Sequence, residues 1–428
     1  MKHVPAKARR HLIPFMFLLY VVSYLDRINV GFAALRMNAD LGFTPAVYGL
    51  GAGIFFLGYS LLEVPSNLIL ERVGARAWIA RIMITWGVIS AGMMFVTTPA
   101  SFYALRLLLG IAEAGFFPGM ILYLTYWFPA AERARAMALF ITSTAMAGII
   151  GGPISGFLLS MDGALGLKGW QLLFLAEGLP AVLLGFVVWR VLPNGPAEAT
   201  WLTTEEKAWL IERLRTEREA KDNTRHFTLR EALLEPRVFL LGILYFCLTM
   251  GIYGIGFWLP QLLRQFSKGG DAAIGVLSAI PYIAAAVAMV VIARHSDKTG
   301  ERRWHIALSA FAGSLGMAIS AVATTPTVVL AAISLAAIGI WGALGTFWTL
   351  PTAFLSGTAA AGAIALINAI GNIGGFASPY LIGMVRGQTD SFTAAWLLLS
   401  ACLGVGGMLV LNIRLGGAAP TRGEAGSH

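Results

Sequence analysis

The chain has 428 residues and a net charge of +9, with 57% hydrophobic and 12% charged residues. A soluble domain carries about 25% charged residues, so this composition excludes an ordinary soluble enzyme. A basic balance would suggest nucleic acid in a soluble protein, but most of the charges here fall in breaks between long apolar runs.

A helix needs roughly 20 apolar residues to cross a bilayer. Twelve runs meet that length: 12–34, 47–70, 78–97, 102–126, 136–160, 171–192, 238–263, 273–293, 304–324, 327–349, 358–384 and 391–413. They are continuously apolar rather than alternating, which excludes a transmembrane β-barrel. The first run follows Lys2, Lys7, Arg9 and Arg10 but has no small-residue cleavage site, and Asp26-Arg27 interrupts it. It reads as a retained helix. The expected fold is an all-α membrane protein of twelve transmembrane helices in two pseudo-symmetric six-helix bundles.

With both termini cytoplasmic, the outer loops hold only Arg36, Lys168, Arg264, Lys268 and Arg386. That asymmetry is the positive-inside rule, and it accounts for the basic balance with no nucleic-acid partner. Cys247 and Cys402 fall inside spans and read as apolar filling.

The organisation divides at the longest break. Residues 1–192 form an N-terminal six-helix bundle and 193–237 a cytoplasmic linker rich in both signs of charge. A C-terminal bundle spans 238–414, and 415–428 is a cytoplasmic tail. In the linker, Thr203 and Glu206 have the spacing of a capping box, opening a short polar helix.

The two halves repeat at a constant offset of 226 residues, seen in Gly49/Gly275, Glu71/Asp297, Gly74/Gly300, Arg76/Arg302 and Pro153/Pro379. Internal repeats in an all-helical membrane protein point to a transporter with its site between two bundles, near the bilayer midplane. The equivalent loops Glu71-Arg72-x-Gly74-x-Arg76 and Asp297-Lys298-x-Gly300-Glu301-Arg302 each offer an acid, a glycine turn and bases. Contacts that such loops make in one conformation and break in another would bias a gate.

These paired loops resemble the signature loops of the major facilitator superfamily. Other segments resemble its anion:cation symporter branch: Tyr24 to Gly31, Gly58-Tyr59, Glu63-Val64-Pro65-Ser66-Asn67, and Glu113 to Gly119. So do Tyr126-Trp127-Phe128-Pro129 with Arg133-x-Arg135, and Gly169-Trp170-Gln171 with Glu177-Gly178. The resemblance spans nearly the whole chain. It implies carriage of a small organic anion across a bacterial inner membrane by a functional monomer, with protons as coupling ion and no cofactor. The family includes carriers of tartrate, sugar acids and aromatic acids, and is related to sialin. Ala80 to Trp86 and Met161-Asp162-Gly163 look most like tartrate-type carriers.

An ionisable side chain inside a membrane costs several kcal/mol and is a functional candidate by default. The clearest cases are Asp26 and Arg27 in the first span and Arg106 and Glu113 in the fourth. Arg106 and Glu113 are two helical turns apart on one face, which suggests Arg106 as the partner that tunes Glu113. Arg27 is the first choice for a substrate carboxylate, because guanidinium offers a planar bidentate fork. Tyr24 lies on nearly the same face. The resemblance assigns protons to Asp26 and Glu113 and substrate to Arg27, and implies contacts at Tyr59 and Thr144. Glu63 is expected at an inner gate with Arg133 or Arg135, beside Glu71, Arg72, Arg76, Asp297 and Arg302. Glu177 is expected only to satisfy local groups.

The second-half spans contain no Asp, Glu, Lys or Arg, so they can offer only hydrogen bonds and shape. Tyr253, Gln261, Tyr282, Trp348, Thr349, Asn368 and Asn372 are the candidates. Asn368 and Asn372 share one helical face. The resulting expectation is a proton-coupled symporter of a tartrate-like dicarboxylate or sugar acid. An aromatic-acid symporter, a proton-independent exchanger and a non-transporting anion sensor stay open.

Overall fold

The computed structural model describes residues 3–222, 235–351 and 357–413. Among them every regular element is helical. The elements in chain order are α1 (Val4–Leu41), α2 (Pro45–Val73), α3 (Ala75–Gly92), α4 (Pro99–Glu113) and α5 (Phe116–Thr125). Next come α6 (Ala130–Ile141), α7 (Ser143–Ser160), α8 (Gly169–Val191) and the linker helix α9 (Thr204–Asp222). The second half holds α10 (Pro236–Phe266), α11 (Asp271–Thr299), α12 (Arg303–Val322), α13 (Pro326–Phe347), α14 (Gly357–Thr389) and α15 (Thr393–Asn412). Twelve candidate membrane spans result, because α4 and α5 join in one broken span and the end of α6 joins α7 in another.

The helices start where the sequence supplies caps. Thr44 accepts from the Val47 amide before α2, and Thr98 with Ser101 forms a capping box before α4. Thr203 and Glu206 exchange the same two bonds before α9, at 2.9 and 3.3 Å. The first span overshoots its apolar run at both ends, because a helix satisfies its own backbone inside and outside a bilayer.

The two halves meet along α2 with α14, α7 with α11, and α1 with α10. The seams are lined by glycine. Gly49 faces Gly383, and Gly152 and Gly156 face Gly275, each so near the opposing backbone that a Cβ would collide. In lipid there is no hydrophobic drive between helices, so close backbone approach supplies the packing. At the end opposite α9, polar contacts also join the halves. Arg36 Nε donates to Asp271 at 2.8 Å, and Tyr48 donates to the Phe257 carbonyl at 2.7 Å. Arg264 pairs with the same Asp271.

α9 docks on the first half. Glu206 accepts from Lys7 at 2.7 Å and contacts His3 at 2.9 Å, and Trp201 stacks on His11 at 4.6 Å. The Lys7 ammonium, helped by the Thr203 amide and His3, holds the Glu206 carboxyl down to about 2.

Candidate functional site

Tyr20, Tyr24 and Arg27 recur at helical spacing on α1, so they share a face. That face looks into a cavity between the two halves, with an empty volume of about 630 Å³. The structure brings Tyr24, Arg27, Tyr59, Thr144, Trp348, Asn368 and Asn372 to its lining. Tyr253 also lines it; Gln261, Tyr282 and Thr349 do not. Tyr20, Tyr245 and Trp341 line it as well. Reading the sequence misses them, because an aromatic ring within an apolar run looks like core packing. The i, i+4 pair Tyr20/Tyr24 is the signal that could have exposed the first.

Arg27 is the centre of the wall. Its Nη2 forms an ion pair with Glu113, and its Nη1 donates to the Tyr253 hydroxyl at 3.2 Å. The guanidinium lies 5.2 Å from the Phe55 ring centre and 5.1 Å from that of Tyr59, within cation–π range. Its Nε has no protein partner. Ser23, one turn before Arg27, donates to the same Glu113 oxygen at 2.8 Å. Glu113 is the last residue of α4, and the chain breaks there through Gly115 at φ 84°. A side chain at Gly115 would meet Ser66, so glycine serves both the backbone angle and the close approach.

Arg106 does not partner Glu113. It donates to the Gly51 and Ala52 carbonyls of α2, both at 3.1 Å, and lies 5.0 Å from the Phe55 ring. Two turns along a helix separate residues by about 10.5 Å, too far for an ion pair even on one face. The close α2–α4 contact, where Gly110 abuts the Phe55 backbone, puts backbone carbonyls nearer.

Asp26 is separated from the cavity. Its carboxylate accepts from Ser90 of α3 and from Asn29 at 3.2 Å, and its other oxygen has no partner. Adjacent helical residues diverge by about 100°, and that rotation sends Arg27 inward and Asp26 toward α3. The proton role that the resemblance implies for Asp26 therefore falls on a carboxylate outside the cavity that Arg27 lines. Glu177 is buried behind them, accepting from Ser155 at 2.7 Å.

Glu63 spans the halves. Its two oxygens accept from the side-chain amides of Asn368 and Asn372, the latter at 3.0 Å. Its expected pairing with Arg133 is not made, since Arg133 donates to the Phe128 carbonyl at 3.0 and 3.3 Å. The Arg135 side chain lies outside the described residues.

The loop residues expected at a gate bind within their own halves. Arg76 donates to the Leu192 carbonyl at 2.6 Å and pairs with Glu198 at 2.5 Å. The Asn194 amides, with Arg76 beside them, hold the Glu198 carboxyl below its usual range. Arg302 pairs with Asp297 at 2.5 Å inside one turn. Glu71 and Arg72 are exposed and make no ion pair among the described residues. In the second loop the acid and base of the motif, five residues apart around a glycine turn, meet each other; in the first, Arg76 turns to the linker instead.

The comparisons with known proteins agree with this architecture. The chain is 49% identical over 405 residues to an Agrobacterium vitis protein named "Putative tartrate transporter", covering 95% of this chain and 93% of that one. It is 45% identical over 389 residues to the quinolone resistance transporter of Acinetobacter baumannii, covering 91% and 90%. The xylose transporter XylE of E. coli, solved in a partially occluded inward-open conformation, shares the fold with a TM-score of 0.72. Its sequence identity is 15%, with 93% and 96% of the two chains covered. The model of the Major Facilitator Superfamily matches residues 16–379. A twelve-span helical chain in two repeated halves around a central cavity, so matched, belongs to the Major Facilitator Superfamily and is a transporter rather than an enzyme.

Proposed function

We propose that this protein imports a small organic anion with protons by alternating access, and that the anion is a hydroxy-dicarboxylate of the tartrate type. The observation carrying the reading is the Arg27–Glu113 ion pair in the cavity wall. Arg27 is matched in charge by Glu113, so an entering carboxylate must displace it. A proton on Glu113 removes the competing charge and frees the guanidinium fork for the substrate. Loss of that proton restores the pair and expels the anion. Desolvation in the cavity strengthens both exchanges. In this reading Asp26 is a second proton carrier, outside the cavity.

The similarity to the Agrobacterium vitis protein supports the substrate class. The setting is an inner membrane with both termini, and hence α9, on the cytoplasmic side. A monomer suffices in this reading, because residues of one chain line the cavity from both halves.

A second reading, an aromatic acid, draws on the rings of Tyr20, Tyr24, Tyr59, Tyr245 and Trp341 in the lining. Uptake into proteoliposomes under an imposed inward proton gradient separates these readings, with tartrate and benzoate as alternative substrates. Tartrate should accumulate and a protonophore should abolish the accumulation. Accumulation of benzoate alone would favour the aromatic reading. Counterflow indifferent to pH would favour an exchanger, and binding without flux a sensor.

A further inference from the structure

Two of the protein's own carboxylates are held by side chains that line the cavity. Glu113 occupies Arg27. Glu63 occupies a pair of amides, with Asn368 donating to one oxygen and Asn372 to the other at 3.0 Å. Both asparagines line the cavity and Glu63 is 8% exposed. A carboxylate held with one donor on each oxygen is bound as an external carboxylate would be. Asn368 and Asn372 lie one turn apart on α14, so their amides are presented together on one face.

Tyr59 neighbours both seats: its ring lies 5.1 Å from the Arg27 guanidinium, and Glu63 follows it by one turn of α2.

We propose that Asn368 and Asn372 form a second carboxylate subsite of the cavity, and that Glu63 is its internal occupant in the absence of substrate. One carboxylate of a dicarboxylate then takes Arg27 in place of Glu113, and the other takes the amide pair in place of Glu63. The inference rests on the functional reading above and deepens it, because it makes the second carboxylate a recognised feature rather than a tolerated one. Displacing Glu63 also undoes a polar contact between α2 and α14, so occupancy of this subsite acts on the seam between the halves.

The test compares tartrate with threonate, in which one carboxylate is replaced by a hydroxymethyl group, in reconstituted full-length protein. Asn368→Ala/Asn372→Ala should lower tartrate kcat/KM about tenfold or more, the loss expected for two hydrogen bonds to a charged group. Threonate kcat/KM should fall by a clearly smaller factor, since it lacks the carboxylate the subsite holds and offers it only a hydroxyl. Glu63→Gln keeps the side-chain shape and weakens the internal competitor. It should lower the tartrate KM about threefold, as a larger fraction of molecules offers a free subsite, and leave threonate unchanged. If the double variant does not insert in the membrane, the Glu63→Gln comparison decides alone. Equal losses for both acids, or an unchanged ratio of their KM values in Glu63→Gln, would overturn the inference while leaving anion transport standing. Wild-type protein that transports neither acid would overturn the functional reading and this inference with it.

Discussion

Arg27 donates to Tyr253 across the cavity at 3.2 Å, and the two residues lie 226 positions apart, the offset of the internal repeat. They are the same position in the two halves. The repeat thus places a charge and a hydroxyl face to face where the halves meet, and specialises them differently. The first half supplies the cation, and the second half supplies a neutral partner.

Arg27 has one nitrogen on Glu113 and another on Tyr253, with the guanidinium plane against two rings. Arg27→Lys keeps the charge but loses the fork and the planar stacking. Tartrate uptake should fall by about a hundredfold or more, the cost of about 3 kcal/mol in lost charged hydrogen bonds. Tyr253→Phe removes one neutral acceptor and should cost about 1 kcal/mol, roughly fivefold. Initial uptake rates in proteoliposomes check both. An equal effect of the two variants would contradict the ranking.

Arg106 is 1% exposed and holds two backbone carbonyls of α2. Its role is to brace α2 against α4. Arg106→Ala should lower stability by about 2–4 kcal/mol, since it removes two charged hydrogen bonds and leaves a cavity between α2 and α4. Thermal unfolding in detergent should show a fall of several degrees. Ligand-dependent stabilisation should persist in the molecules that remain folded, and its loss would place Arg106 in the substrate site instead.

Asp271 is held by Arg36 from the first half and Arg264 from the second, at the end opposite α9. It also sits in the first turn of α11, where a negative charge is favoured. Asp271→Asn should weaken the closure of that end by about 1.5–3 kcal/mol and shift the population toward the form open there. Nitroxide labels at Ala39→Cys and Gln388→Cys, with Cys247 and Cys402 replaced by alanine, report the change. Their distance distribution should gain a longer component, and an unchanged distribution would remove Asp271 from the closure.

Glu206 joins the linker helix to the amino-terminal end of α1 through Lys7 and His3. Its folded carboxyl is held down to about 2, against about 4.3 in an unfolded chain. A depressed acid stabilises above its unfolded value and loses the contribution as pH falls through the folded one. Hydrogen-exchange protection of α9, corrected for intrinsic rates, should be level from pH 8 to about 5 and fall between about 4.3 and 2. Glu206→Gln should show the low protection throughout. Protection in that variant that still follows pH as in the wild type would assign the effect to another group.

The spans were legible because water-excluding runs of bilayer length have few alternatives. The last one, expected at 391–413, is the helix Thr393–Asn412. The cavity lining was legible where polar or ionisable residues stand out against lipid-like sequence, as at Arg27, Asn368 and Asn372. Partners were harder. A seven-residue spacing gives a shared helix face, but at about 10.5 Å of rise the two groups cannot pair, so Arg106 went to the wrong group. Glu63 meets Asn368, 305 residues away, and no local pattern encodes which residue of the other half a carboxylate will find. Asp26 and Arg27 are neighbours whose side chains serve different pockets, a separation of rotation rather than of sequence.

Glu113 holds the central role, because its carboxylate competes with the substrate for Arg27. Glu113→Gln fixes this position as uncharged. Tartrate–tartrate exchange across proteoliposomes should persist in the variant, while accumulation driven by an inward proton gradient should be abolished. Gradient-driven accumulation at the wild-type level would contradict the claim that a proton on Glu113 releases the anion-binding arginine.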